Sequence, residues 1–119
     1  MSSYVHELGK VTVFYVPSQK LDDPCFFDGT QSIRSVIHEF LMQHFRAYTQ
    51  TPTAVKGYWI GVDDRLDHDV LERFEVSFAE EDGFDRLIAF LASLCERLNK
   101  DAIYVTREER SFLVQHVAN

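Results

Sequence analysis

Two segments of this chain carry the three-four spacing of a helix with one buried face. Strand-like segments fall around them, so that the whole reads β-α-β-β-α-β. That order constrains the chain more than any motif in it. Two amphipathic helices among strands bury their apolar stripes best as two layers, with both helices on one side of a mainly antiparallel sheet. The expected class is α+β, a two-layer sandwich with a short extra C-terminal strand.

Residues 11–16 are β-branched and aromatic on both parities and read as the first strand. Pro17 closes it, since proline has no N–H for the ladder. Residues 17–30 form a long connection whose tip carries Cys25, Phe26 and Phe27. Two adjacent Phe residues point to a loop packed by its own side chains. The first helix buries Ile33, Val36, Ile37, Phe40, Leu41, His44, Phe45 and Tyr48. Thr30 or Ser32 caps it, and residues 49–52 end it ahead of Pro52. Residues 55–62 and 70–78 read as a hairpin across a polar turn, with Gly57 and Gly61 marking a bulge or a close backbone approach. In its second strand Phe74, Val76 and Phe78 face the core, while Arg73, Glu75 and Ser77 face away. The second helix opens at residues 81–83 with Asp82 or Gly83 as cap. It buries Phe84, Leu87, Ile88, Leu91, Leu94, Cys95 and Leu98, and stops at Asn99. Residues 102–106 and 111–114 are the last strands. The length fits one domain, residues 1–119, with 1–8 and 117–119 as flexible ends.

A net charge of −7 argues against a phosphate backbone as partner, because such binding is driven by Lys and Arg releasing counterions. It suits docking to a basic protein surface. Cys25 and Cys95 stand in no CxxC pattern and read as reduced cytosolic thiols. The start has no basic and apolar leader, and no apolar run reaches the roughly 20 residues that span a bilayer. The expected location is cytoplasmic, without membrane contact.

Motifs that carry chemistry are sparse. The turn at residues 63–69 gathers Asp63, Asp64, Asp67, His68 and Asp69, oxygen-rich ligands for a hard cation. The calcium-loop pattern fails there, with no Gly at the sixth place and no Glu at the twelfth, so a solvated turn is the plainer reading and no metal is expected. His38 and His44 are six apart, whereas a zinc helix needs histidines four apart. His6, His68 and His116 are scattered. No G-x-S-x-G elbow exists, and neither Cys has a catalytic signature. Gly29 and Gly83 stand alone, without the clustering a phosphate loop needs. No cofactor is called for.

The order β-α-β-β-α-β resembles the ferredoxin-like superfold over residues 10–106. RNA-recognition domains share that order and stack bases on aromatics of a basic-flanked strand. Here the corresponding strand has two Glu residues in place of cations, and its aromatics face the core, which disfavours nucleic acid. The superfold leaves one sheet face without helices. Thr12, Phe14, Trp59, Arg73, Glu75, Ser77 and Tyr104 are its expected residues, unless the terminal strand and the 17–30 connection fold over it. Trp, Tyr and Arg are common interface anchors. The leading expectation is therefore a small, acidic, non-catalytic protein that acts on another protein, or on itself as a homodimer, through Phe14, Trp59, Arg73, Glu75 and Tyr104. One version is a phage-encoded inhibitor of a host nucleic-acid-binding enzyme. The alternative is a dimeric α+β barrel-type enzyme or small-ligand binder. Its pocket would lie on the open face, lined by Phe14, Trp59 and Tyr104 with His44 or Arg73 at the rim.

Overall fold

Five strands, β1 (Lys10–Pro17), β2 (Thr49–Ile60), β3 (Leu66–Phe78), β4 (Ile103–Arg107) and β5 (Arg110–Val114), form one sheet in the order β2-β3-β1-β4-β5. Every neighbouring pair is antiparallel. Among the described residues three α-helices accompany it, α1 (Ser18–Leu21), α2 (Ile33–Phe45) and α3 (Glu81–Arg97), with a short 3-10 turn at Pro24–Phe26. This computed structural model describes residues 5–60, 63–108 and 110–115, without the side chains of Thr53, Ala54, Trp59 and Asp67. The class is α+β with a mainly antiparallel sheet, as the sequence order implies.

One apolar cluster joins sheet and helices. Phe14 and Val16 of β1, Phe74, Val76 and Phe78 of β3, and Ile103 and Val105 of β4 share it with Ile33, Ile37, Leu41, Leu87, Leu91 and Leu94. The alternation expected in β3 is present: Phe74, Val76 and Phe78 are buried, while Arg73, Glu75 and Ser77 are half-buried on the other face. In β1 the expectation needs correction. Phe14, expected on the open face, is 0% exposed among the helices, stacked on Phe74 with ring centroids 5.2 Å apart. Thr12 is buried with it. Both parities of β1 are apolar, so its facing is decided by the pairing of Phe14 with Phe74 and not by its own pattern.

Helix ends follow local chemistry. Ser32 Oγ accepts the Ser35 N–H at 3.1 Å and caps α2. The helix ends at Phe45, before the expected Tyr48, because Arg46 turns left-handed at φ 70 and donates its N–H to the Leu41 and Met42 carbonyls. Residues 49–52 do not end a helix; they open β2. Pro52 sits where the β2–β3 register shifts between Thr51 and Val55, a site where a missing N–H costs little. The cap of α3 is Glu80, so Asp82 and Gly83 lie inside the helix, and Glu81 and Asp82 complement its dipole. Asn99 stops it as expected: at φ 54 it lets the Lys100 N–H reach the Cys95 carbonyl at 3.0 Å and its own N–H reach Glu96 at 3.2 Å.

The 17–30 connection packs among the helices. Leu21 is fully buried, Phe26 lies against the core, and Lys20 Nζ donates to the Leu98 carbonyl at 2.6 Å. Cys25 is an exposed free thiol. Cys95 is buried and free; loss of solvation pushes its thiol up to about 11. No helix among the described residues is long and apolar enough to cross a membrane.

Candidate functional site

The face of the sheet away from α2 and α3 carries a cavity of about 370 Å3. Strand pairing builds its floor in rows. Tyr15 of β1 is opposite Arg73 of β3, and its ring lies 6.0 Å from that of Tyr104 on β4. Tyr104 is in turn opposite Leu113 of β5. The next row holds Pro17 opposite Leu71, which pairs with Val55 of β2. Tyr58 and Ile60 of the long β2–β3 hairpin, and Lys100 to Ala102 after α3, close the sides. The volume and mostly apolar wall with a few charged groups are those of a small-molecule site. No residue of 18–30 lines it, so the long connection leaves this site uncovered.

Three polar pairs lie in or beside the cavity. Lys100 Nζ meets Asp69 Oδ2 at 2.6 Å, with side chains only 10% and 11% exposed. The Tyr104 hydroxyl lies 2.9 Å from Ser111 Oγ. Arg73 pairs with Glu75 at 2.8 Å, outside the cavity wall. Hydrogen bonds to Glu75 and to Tyr15 hold its guanidinium firmly charged.

The expected site residues thus separate. Tyr104 lines the cavity; Arg73 and Glu75 stand beside it on the same face. Phe14 is on the wrong face. The backbone of Trp59 pairs with Asp67, and its side chain is outside the described ones. His44 is an exposed ring on α2 against Phe40 at 4.5 Å, not a rim residue. His38 Nδ1 is 2.8 Å from the Tyr48 hydroxyl.

The acidic segment is split by the structure. Asp63 pairs with Arg65 at 3.6 Å, and Asp64 takes a left-handed turn position at φ 60. Asp67, His68 and Asp69 belong to β3 and not to a turn. His68 stacks on Tyr58 with centroids 5.9 Å apart, and Asp69 binds Lys100. Among the described residues no three His, Cys, Asp or Glu side chains come together as a cation site. Gly61, Val62 and His116 lie outside the described residues. Sequence reasoning missed Tyr15, Tyr58, Asp69 and Lys100 as one site. The signal was faint: Tyr15 shares its strand with five other apolar or β-branched residues, and Asp69 and Lys100 are 31 residues apart.

No protein-family model matches the chain, and no curated protein matches it in sequence. Solved structures do match. One is a phage SAM lyase in complex with S-methyl-5'-thioadenosine, at a TM-score of 0.61 and 13% identity, covering 95% of this chain and 96% of that one. Another is a phage SAM lyase in the apo state, at 0.61 and 14%, covering 98% and 99%. At such identity the likeness is one of fold. It nevertheless corrects the leading expectation. The matching proteins are an enzyme, not a non-catalytic partner-binding protein or a phage inhibitor, and they favour the alternative of a small enzyme with a pocket.

Proposed function

We propose that this chain is a small enzyme acting on a nucleoside sulfonium compound of the SAM type, bound in the open-face cavity. The observation that carries this reading is the cavity itself. It has three tyrosines, an aliphatic floor and one desolvated ion pair, on a chain that aligns almost end to end with a phage SAM lyase. The order β4-β1-β3-β2 within the sheet supports the ferredoxin-like class, with β5 as an added edge.

The residues suit that chemistry. A sulfonium carries its positive charge on sulfur, and tyrosine faces attract a cation without the strong desolvation that a carboxylate contact demands. Tyr15 and Tyr104 supply such faces, and either can stack on a purine; Tyr58 lines the same cavity with its ring stacked on His68. When the carbon–sulfur bond breaks, its electron pair returns to sulfur while the carbon takes its new bond from the substrate's own carboxylate oxygen, so that a sulfonium and a carboxylate become a neutral thioether and a lactone. A mostly apolar wall favours that loss of charge over a watery one. Tyr15 and Tyr104 are the residues assigned to hold the sulfur end, because their rings adjoin each other across β1 and β4.

Self-association belongs to the same reading. Tyr58, Ile60 and Leu113 are exposed on the cavity's rim, and a second copy laid on this face would cover them. A cytoplasmic location is part of the same proposal, and two cysteines that form no disulfide are in keeping with it. The test is to incubate the purified protein with S-adenosylmethionine and follow S-methyl-5'-thioadenosine by chromatography. Release above the spontaneous rate, lost in Tyr104→Ala, is expected. No release, together with no binding of S-methyl-5'-thioadenosine, would overturn the proposal. Light scattering that finds only monomers would remove the self-association.

A further inference from the structure

We propose that the Asp69–Lys100 pair recognises the α-amino acid zwitterion that a SAM-type substrate carries and S-methyl-5'-thioadenosine lacks. The inference rests on the SAM-type reading of the cavity and goes further by assigning one wall to one end of the substrate. Lys100 follows α3 and Asp69 lies on β3, and both reach the same cavity. Their charged atoms are 2.6 Å apart and nearly all of both side chains is removed from water. Little solvent screens such a pair, so a charged group brought into contact with either end meets it at little-reduced strength.

An α-amino acid bears an ammonium and a carboxylate on one carbon. That is the same adjacency of opposite charges as Lys100 Nζ and Asp69 Oδ2. Laid head to tail on the pair, the substrate carboxylate meets Lys100 and its ammonium meets Asp69, two charge-assisted contacts in one geometry. Asp101 adds a second carboxylate on the same side. The other walls offer a zwitterion little: Tyr15, Tyr104, Leu71 and Leu113 are aromatic or aliphatic. Lys56, the other cation on the wall, is exposed and screened by water.

A pair of this kind could also serve only to pin the end of α3 to the sheet, and the experiment separates the two roles. S-adenosylhomocysteine and S-methyl-5'-thioadenosine are both neutral thioethers, and they differ in the amino acid tail. Both are titrated calorimetrically into the wild type and into Asp69→Asn/Lys100→Met. The double variant avoids stranding one buried charge. The wild type is expected to bind the tailed compound at least about tenfold more tightly, the usual scale of a charge-assisted contact. The double variant should lose that advantage while its affinity for S-methyl-5'-thioadenosine falls less than about threefold. Lys56→Met should retain it.

Equal wild-type affinities, or a double variant that loses both ligands alike, would overturn the assignment; so would loss of the preference in Lys56→Met. A measurement without any variant keeps the test open if the double variant melts early. The methyl ester of S-adenosylhomocysteine, which has no carboxylate, should bind the wild type more weakly than S-adenosylhomocysteine itself, and undiminished binding of the ester would overturn it. Failure of the wild type to bind either thioether would instead overturn the SAM-type reading.

Discussion

Arg34 grips Glu72 through two N–H···O bonds of 2.9 Å each, one from Nη1 and one from Nη2. The same guanidinium holds Asp22 at 2.9 and 3.0 Å, and Gln50 donates a further bond to Glu72. One side chain of α2 thereby ties the connection after β1 to strand β3, and Glu72 extends the cluster to Gln50 of β2. Arg34→Met would leave the nearly buried Glu72 carboxylate with Gln50 alone. Because Arg34 is partly solvated, the expected loss is about 2–4 kcal/mol, the low side of a buried pair. Urea denaturation measures it. A loss under about 0.5 kcal/mol would mean the contacts are of the weak surface kind.

The same cluster sets an acid limit. Hydrogen bonds from Arg34 hold the carboxyls of Glu72 and Asp22 below their usual ranges, against the opposing effect of burial. The folded state therefore stays ionised to lower pH than the unfolded chain. The stabilisation is complete above the unfolded carboxylate range, near pH 4, and disappears as pH falls through the lowered folded values. Melting curves from about pH 6 to about pH 2.5 should show the gap between wild type and Arg34→Met narrowing toward acid. A gap that stays constant would assign the effect of Arg34 to packing.

Two glycines should respond unequally to alanine. A Cβ at Gly83 would stand 2.9 Å from the Phe78 ring and 3.2 Å from that of Phe45, rings already stacked 4.8 Å apart. The Phe78 ring is buried and held by that stack, so Gly83→Ala should destabilise by about 1–3 kcal/mol despite the better helix propensity. At Gly57 the neighbour is the flexible tip of Leu71 at 2.8 Å. Gly57→Ala should cost under about 1 kcal/mol but narrow the cavity, so that ligand affinity falls more than stability does. Thermal melts and calorimetry on both variants check this.

Arg107 offers a counterintuitive case. Its side chain is 8% exposed, its charge lies 4.8 and 5.1 Å from the centres of the Phe84 and Phe78 rings, and it pairs with exposed Glu81 at 3.3 Å. Its Nε and Nη2, and Thr12 Oγ1 on the strand pair beside it, have no partner among the described residues. Arg107→Met keeps the apolar stem and deletes the orphaned donors. It should be neutral or stabilising by up to about 1 kcal/mol, whereas Arg107→Ala should lose about 2–3 kcal/mol of packing. A large loss in Arg107→Met would show that the charge itself stabilises the fold.

Tyr104 tests the cavity directly. Tyr104→Ala removes a partly exposed ring and should change stability by less than about 0.5 kcal/mol. Affinity for S-methyl-5'-thioadenosine should drop about tenfold, the scale of one base–aromatic stack, and Tyr104→Phe should stay within about threefold of wild type. Equal affinity in all three proteins would remove Tyr104 from the site.

Much of the fold was legible because single segments carry their own pattern. The alternation of Phe74, Val76 and Phe78 fixes the facing of β3, and the stripe through Leu87, Leu91 and Leu94 fixes α3. The failures arose where the deciding partner is distant in sequence. β1 is apolar on both sides, so only its pairing with β3 sends Phe14 inward and Tyr15 outward. Residues 49–54 contain no strong apolar residue, and their strand character comes from the ladder with β3. The candidate site is the extreme case. Tyr15, Asp69, Lys100 and Tyr104 meet only after three strands and the segment that follows α3 have aligned, and no local motif announces that meeting.

The irregularity in β2 has an arithmetic consequence. From Thr51 to Val55 that strand advances four residues while its partner moves two, from Arg73 to Leu71. The surplus is an even number, so odd-numbered positions keep the same side before and after it. Thr51 and Val55 therefore both point with Leu71 toward the cavity side, although a proline lies between them. Length change at this place should follow a parity rule. Losing two residues would restore a regular ladder with the same wall, whereas losing one would turn the whole outer half of the hairpin over. Natural relatives that differ in length here would be expected to differ in steps of two.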